Sequence, residues 1–420
     1  MQQLPARIIE TIAPTRLGRS FRWLLSATVV NNIGDGVAIS AGPLLVASMT
    51  EDPFLVSMAL LSEYLPALLF GVIGGVAADR FDRKRMVVVV NIGRTFVLAA
   101  LVITIATAVV NIALVLAALF VLGTAETFAD SASSTLLPGL VAREDLGIAN
   151  ARLQGAFVLM NQLLLPPVGA FLFVIGPAIP FAANAAGFAL GAVLISRVVT
   201  DVRAAQADRP GLRGEMLEGI RWLIAHPPMR TLALTIVTFN VTFGAAWSVL
   251  VLYAGQRLGM NAVGFGLLTT AVAVGGLVGI VSYGRLERRF SLADIMRVGL
   301  LIETGTHLVL ALTTSSAVAL VTLVVFGAHA FVWGTTSTVV RQRAVPDEVL
   351  GRVGGVYRVA IVGGMVVGTP IGGLLARTYG ITAPFWFAFA GSALLVAVLW
   401  RQFDNIVHAG EGPLERQARS

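Results

Sequence analysis

Long apolar runs alternate with short polar gaps along the chain, and twelve of them are long enough to cross a bilayer as helices, which takes about 20 residues. The first six cover roughly 22–48, 55–78, 86–108, 112–136, 148–174 and 178–199. After a polar stretch, six more cover roughly 229–256, 263–286, 292–313, 316–340, 353–377 and 381–401. The runs are too long and too uniform for spanning strands. Helices satisfy their own backbone hydrogen bonds in lipid. The pattern therefore predicts an all-α integral membrane protein, twelve transmembrane helices in two six-helix bundles. The expected plan is an N-terminal segment 1–21, a bundle 22–199, a linker 200–228, a second bundle 229–401 and a tail 402–420. In the linker, Met216, Leu217, Ile220, Leu223 and Ile224 recur at helical spacing, which predicts an amphipathic surface helix. The tail reads as polar and disordered.

The gaps set the orientation. The densest is Gly75-Val-Ala-Ala-Asp79-Arg80-Phe-Asp82-Arg83-Lys84-Arg85, between the second and third runs. Arginines crowd this gap and every second one after it, while the alternate gaps carry little beyond Arg257. Basic loops stay inside, so both termini are expected in the cytoplasm. The halves echo each other: Gly284-Arg-Leu-Glu-Arg-Arg289 follows the eighth run as the dense turn follows the second. Matching turns indicate a parallel repeat.

Composition agrees. The chain is 56% hydrophobic and 13% charged, with mean hydropathy +0.84, whereas soluble domains carry about 25% charged residues. Its net charge of +7 comes from loop arginines, with no basic stripe and aromatics of the kind that binds nucleic acid. Without cysteine there is no disulfide or thiol chemistry, and four scattered histidines predict no metal and no cofactor. Phosphate loops, nucleophile elbows and a nucleotide-binding domain are absent, so the expectation is a non-enzyme that does not use ATP directly.

The dense turn also resembles the signature turn of the major facilitator superfamily. Gly75, Asp79, Arg80, Arg83 and Lys84 match residue by residue, while Asp82 stands where a glycine is usual. Further segments resemble the bacterial drug, macrolide and siderophore exporter branch. They are Asn32-Ile-Gly34-Asp35, Leu65-Pro66-Ala-Leu-Leu-Phe70-Gly71, Leu137-Pro138-Gly-Leu-Val141, and Val345-Pro346-Asp347-Glu348-Val-Leu-Gly351-Arg352-Val353. The resemblance implies a transporter of the bacterial inner membrane that works by alternating access. It also implies a gate latch: Asp130 with Arg83, and Asp79 with Arg352 or Arg358. Two features depart from proton-driven drug antiporters. The fourth run has Glu126 and Asp130 but no arginine, and the fifth has Pro166-Pro167-Val-Gly169-Ala170 instead of Gly-Pro-x-x-Gly-Gly. A closer copy is Gly368-Thr-Pro370-Ile-Gly372-Gly373 in the eleventh.

Each ionisable group inside a run costs about 2.5–3.5 kcal/mol to insert and needs a reason. At about 1.5 Å rise per residue, Asp35 and Glu63 reach similar depths, so they are expected to share a proton-coupling site. Arg94 and Glu126 also match in depth and are expected to pair, as a structural ion pair or as a protonation-gated one that adds both to the proton-coupling candidates. Glu303 and His307 lie four apart on one helix face, with His329 on the next run. Those three, with Asn31, Asn161, Gln162, Asn184, Asn240, Trp247 and Trp333, are candidates for the cargo cavity. The expected activity is proton-coupled export of hydrophobic or amphipathic small molecules by a monomer, with protons, cargo and the lipid bilayer as partners. Siderophore export and lipid or glycolipid translocation are the alternatives on the same fold; a membrane receptor or enzyme is the alternative of another class.

Overall fold

A computed structural model describes residues 14–199 and 212–409. The first residues of the N-terminal segment, the start of the linker with Arg203 and Arg209, and the end of the tail lie outside the described residues. Every apolar run is a helix, and there is no strand among the described residues. Spans 1 to 4 are Gly18–Met49, Pro53–Arg80, Arg83–Ala106 and Ile112–Leu136; span 5 runs over 146–175, and span 6 is Ile179–Ser196. Spans 7 to 12 are Pro227–Trp247, Ala262–Arg289, Leu292–Leu312, Ser316–Ala344, Asp347–Tyr379 and Ala383–Leu399.

The gap residues start the helices. Asp82 caps span 3 by accepting from the Arg85 N–H at 3.0 Å, and Asn111 caps span 4 through Leu114. Prolines occupy the first turns of spans 6, 7 and 12, where no N–H is needed. Span 5 contains a break. Pro166 and Pro167 have no N–H to donate, and Phe157–Leu164 just before them widens into a π-helix. Thr270 Oγ1 donates instead to the Leu163 carbonyl, at 3.3 Å.

The spans form two compact units. The first holds spans 1 and 3 to 6, span 2 from Ser62, and the opening of span 8, Asn261–Thr270. The second holds the stretch Glu51–Leu61, spans 7 and 9 to 12, and span 8 from Ala271. Internal packing repeats between them. Span 1 packs on 5 and 6, and span 3 on 4 and 6; likewise span 7 packs on 11 and 12, and span 9 on 10 and 12. Backbones touch where glycines remove the side chain. A Cβ on Gly36 or Gly169 would overlap the carbonyl of Met160 or Val37, and one on Gly368 or Gly372 would overlap that of Val241 or Ala245. Gly368 and Gly372 of that motif thus form a packing surface for span 7, while Gly373 faces Phe54 and Ser57 at the start of span 2.

Two expectations at the ends need correction. The first helix starts at Gly18, because Leu17 and Phe21 are buried in the first unit's core. The tail does not turn polar and loose at Gln402. Gln402–Val407 is a helix whose Phe403 and Ile406 enter the second unit's core, and Asp404 takes an ion pair from Arg297. The linker helix, Leu212–Ala225, belongs to the same unit. A Cβ on its Gly219 would meet the Arg352 carbonyl at 2.8 Å, and its Glu218 accepts from Arg352 at 2.6 Å.

Because a Cβ on Gly169 would overlap the Val37 carbonyl, Gly169→Ala lowers stability by about 1–3 kcal/mol through overpacking. Gly93→Ala, where a methyl meets nothing within 4 Å, holds or raises it. Thermal melting of the two purified variants checks the contrast.

Candidate functional site

In the first unit, span 3 turns Asn91 and Arg94 toward span 6. Span 1 supplies Asn31 and Asp35, four apart on one face, and span 6 supplies Asn184 and Phe188. Glycines make the room: a Cβ on Gly191 would overlap Asn31 Oδ1, and one on Gly34 would overlap Asn184 Oδ1. Asp35 is half-buried and hydrogen-bonds the Asn184 side chain, with Arg94, Glu126 and Asp130 as its charged neighbours.

Arg94 is only 5% exposed. Its guanidinium lies 4.6 Å over the Phe188 ring, and Nη2 is 3.9 Å from Glu126 Oε2, the cross-helix pair that matched depths predicted. Glu126 itself is exposed, so a buried cation faces an exposed anion. Arg94 Nε, Asn31 Oδ1, Asn184 Oδ1 and both amide atoms of Asn91 lack hydrogen-bond partners. Such a set suits ordered water. Asn91 had not been singled out, although an amide three residues before Arg94 in an apolar run is a readable signal.

Asp35 and Glu63 do not share a site. A Cβ on Gly42, two turns above Asp35 on span 1, would meet Glu63 Oε1 at 3.4 Å, and Glu126 is the charged group acting on Glu63. Gly42 is seven residues from Asp35 on the same face of span 1, so the two acids differ in height by about 10 Å, which counting residues from the helix ends does not reveal.

At the dense turn, Arg83 donates to the carbonyls of Ala78 and of Thr135 in span 4 at 3.3 and 3.1 Å, with Asp79 at 4.0 Å. Gly75, Asp79, Arg80 and Asp130 are exposed, and Lys84 is half-buried. Asp82 replaces the usual glycine because it caps span 3. Arg352 binds Glu218, and Arg358 is exposed.

The second unit has its own charged interior. Arg94 lies eleven residues past Arg83, the first residue of span 3, and Glu303 lies eleven past Leu292, the first of span 9. Glu303 is fully buried between His307 Nε2 at 3.0 Å and His329 Nε2 of span 10 at 3.3 Å. The two units thus carry a cross-helix pair at matching places with the signs exchanged. Trp333 stacks on Phe239 beside His329, with centroids 5.6 Å apart. Beside His307 a small aromatic cavity of about 20 Å³ is lined by Phe243, Trp247, Thr306, Phe326 and Phe385. Of the expected cavity residues, Asn184, Glu303, His307, His329 and Trp333 are thus buried inside their own bundles; Asn31, Asn161, Asn240 and Trp247 are half-buried and Gln162 is exposed. No group of three or more His, Cys, Asp or Glu among the described residues is arranged to hold a metal.

A repeated six-helix frame with ionisable groups inside each half defines a transporter of the major facilitator fold. Solved structures share it. A bacterial homologue of the iron transporter ferroportin in the inward-facing state superposes with TM-score 0.75 at 17% identity, covering 93% of this chain and 98% of that one. The nucleoside transporter NupG gives 0.70 at 12%, covering 93% and 99%. The family profile for transmembrane secretion effectors matches residues 9–411, so the chain belongs to this family of multi-pass membrane transporters. It is 27% identical over 393 residues to the multidrug efflux pump Tap of Mycolicibacterium fortuitum, covering 90% of this chain and 93% of Tap. It is 25% identical over 370 residues to the enterobactin exporter EntS of Salmonella choleraesuis strain SC-B67, covering 84% and 85%.

A buried arginine paired at 3.9 Å with an exposed carboxylate gains little from that pair. Arg94→Met therefore leaves melting within about 1 kcal/mol of the parent or raises it. Transport falls at least tenfold in the same variant if the charge is kept for function, and a dye-efflux assay beside the melting curve checks both.

Proposed function

We propose that this protein is a secondary active exporter of hydrophobic or amphipathic small molecules, driven by inward proton movement through Asp35. It works by alternating access in a bacterial cytoplasmic membrane, with both termini inside. The observation that carries the reading is Asp35 itself. It is an acid half-buried within a membrane span, hydrogen-bonded to Asn184, with Arg94, Glu126 and Asp130 as charged neighbours. A carboxylate so placed is costly unless it does something, and proton carriage is the common use of acids in membrane spans. The similarity to Tap supports an amphipathic cargo, and the similarity to EntS supports a siderophore as the second reading.

Proteoliposomes loaded with an amphipathic dye provide the test. The parent is expected to transport dye in response to a pH gradient, and Asp35→Asn to lose at least nine-tenths of that response while still exchanging dye between the two sides. Undiminished gradient-driven transport by Asp35→Asn removes Asp35 from the mechanism. Competition by a catecholate siderophore, but not by lipophilic drugs, moves the cargo to the second reading.

A further inference from the structure

Glu303 is shared by two imidazoles in the dry interior of the second unit, and the export reading does not use it. Its Oε1 accepts from His307 Nε2 at 3.0 Å, and Oε2 lies within ion-pair distance of His329 Nε2, at 3.3 Å, outside hydrogen-bond geometry. All three residues are at most 5% exposed. A carboxylate only accepts, so His307 Nε2 carries its hydrogen, and with the same tautomer at His329 each Nδ1 keeps a lone pair. Neither Nδ1 has a hydrogen-bond partner in the structure. His307 also lines the aromatic cavity, where it is the one titratable side chain. Room for His329 is made by Gly299, where a Cβ would meet His329 Nδ1 at 2.9 Å and Trp333 Cδ1 at 2.8 Å.

The charge count then becomes specific. With two neutral imidazoles the triad carries the single negative charge of Glu303. One proton on either Nδ1 brings it to zero, and a second would make it positive. A buried net charge is costly in either sign. Nothing nearby alters the count. Span 12 has no charged residue. Span 7 has only Arg230, in its first turn. The acids and bases of span 8 sit in its last turns, where Glu287 meets Arg343 of span 10. Toward the start of span 9, Arg297 is held by Asp294 and by Asp404 of the C-terminal helix. Arg341 lies at the end of span 10 against Tyr357 of span 11, and Arg352 is bound to Glu218.

We infer that Glu303, His307 and His329 form a one-proton binding site inside the second unit, with the aromatic cavity beside His307 as its route to water. Binding neutralises the triad and tightens the contact between spans 9 and 10; release leaves Glu303 bare and loosens it. The site deepens the export reading by giving the second unit its own titrating group. It rests on that reading only for its consequence in transport, since proton binding is measured without cargo.

The chain has four histidines, which makes the test direct. In the His226→Gln/His408→Gln variant only the two triad imidazoles remain, and both replaced residues lie outside the triad. Nitrogen-15 NMR of this full-length protein in lipid nanodiscs, over about pH 5 to 9, reads their protonation. The expected result is uptake of one proton shared by the two rings. Glu303→Gln should move that uptake down by more than one pH unit. Two independent uptakes, no uptake in the range, or the same titration in Glu303→Gln would overturn the proposal. Should Glu303→Gln fail to fold, the proton count in the histidine variant alone still decides. Repeating the titration in Asp35→Asn separates the two readings: the triad should titrate unchanged whether or not Asp35 proves to drive transport.

Discussion

Hydrocarbon tolerates a charge only when something beside it answers, and this constraint shapes the interior of both bundles. In the first, Arg94 is enclosed by Phe188, with Glu126 within ion-pair reach and asparagines around it. In the second, Glu303 takes two imidazoles, one from its own helix and one from the next. The same place along the third helix of each half holds a cation in one and an anion in the other. A duplicated frame has kept the need for a buried pair while exchanging its sign. The first pair is exposed on its Glu126 side, and the second is buried, with a small cavity beside His307.

Such interiors need space, and the frame provides it through small residues. Gly34 and Gly191 leave room for asparagine side chains of the neighbouring helix, and Gly299 leaves room for His329 and Trp333. Elsewhere glycine does the opposite, drawing backbones together at Gly36, Gly169, Gly368 and Gly372. Without a hydrophobic force between helices in lipid, close contact of this kind supplies much of their association. The π-helical stretch before Pro166 loosens span 5 locally, and Asn161 and Gln162 sit on it.

The helices were legible because length and hydropathy are local properties. Eleven of the twelve runs form helices of 18 residues or more that are apolar enough to cross a membrane, and the twelfth, Ala383–Leu399, is a shorter apolar helix. The Arg94–Glu126 pair followed from matched depth on adjacent helices. The same argument failed for Asp35 and Glu63, since Glu63 reaches span 1 at Gly42, about two turns from Asp35, and depth counted from helix ends misses an offset of that size. Sequence showed Glu303 and His307 on one face, but only the packing of span 10 on span 9 brings His329 to the second oxygen. Asp82 looked like a departure from a family pattern, and it is a helix cap whose signal, an acid three residues before Arg85, was local all along. The tail misled because Phe403 and Ile406 are two apolar residues in a polar stretch, too few to register by composition.

The central claim is that cargo and proton compete for one protein, with buried acids as the currency of exchange. Its most direct measurement is the proton balance of cargo binding. Purified protein in nanodiscs is titrated with an amphipathic dye in lightly buffered solution at neutral pH, with a pH indicator present. The account predicts that dye binding releases protons in proportion to occupancy. Saturating dye binding with no proton release would contradict it.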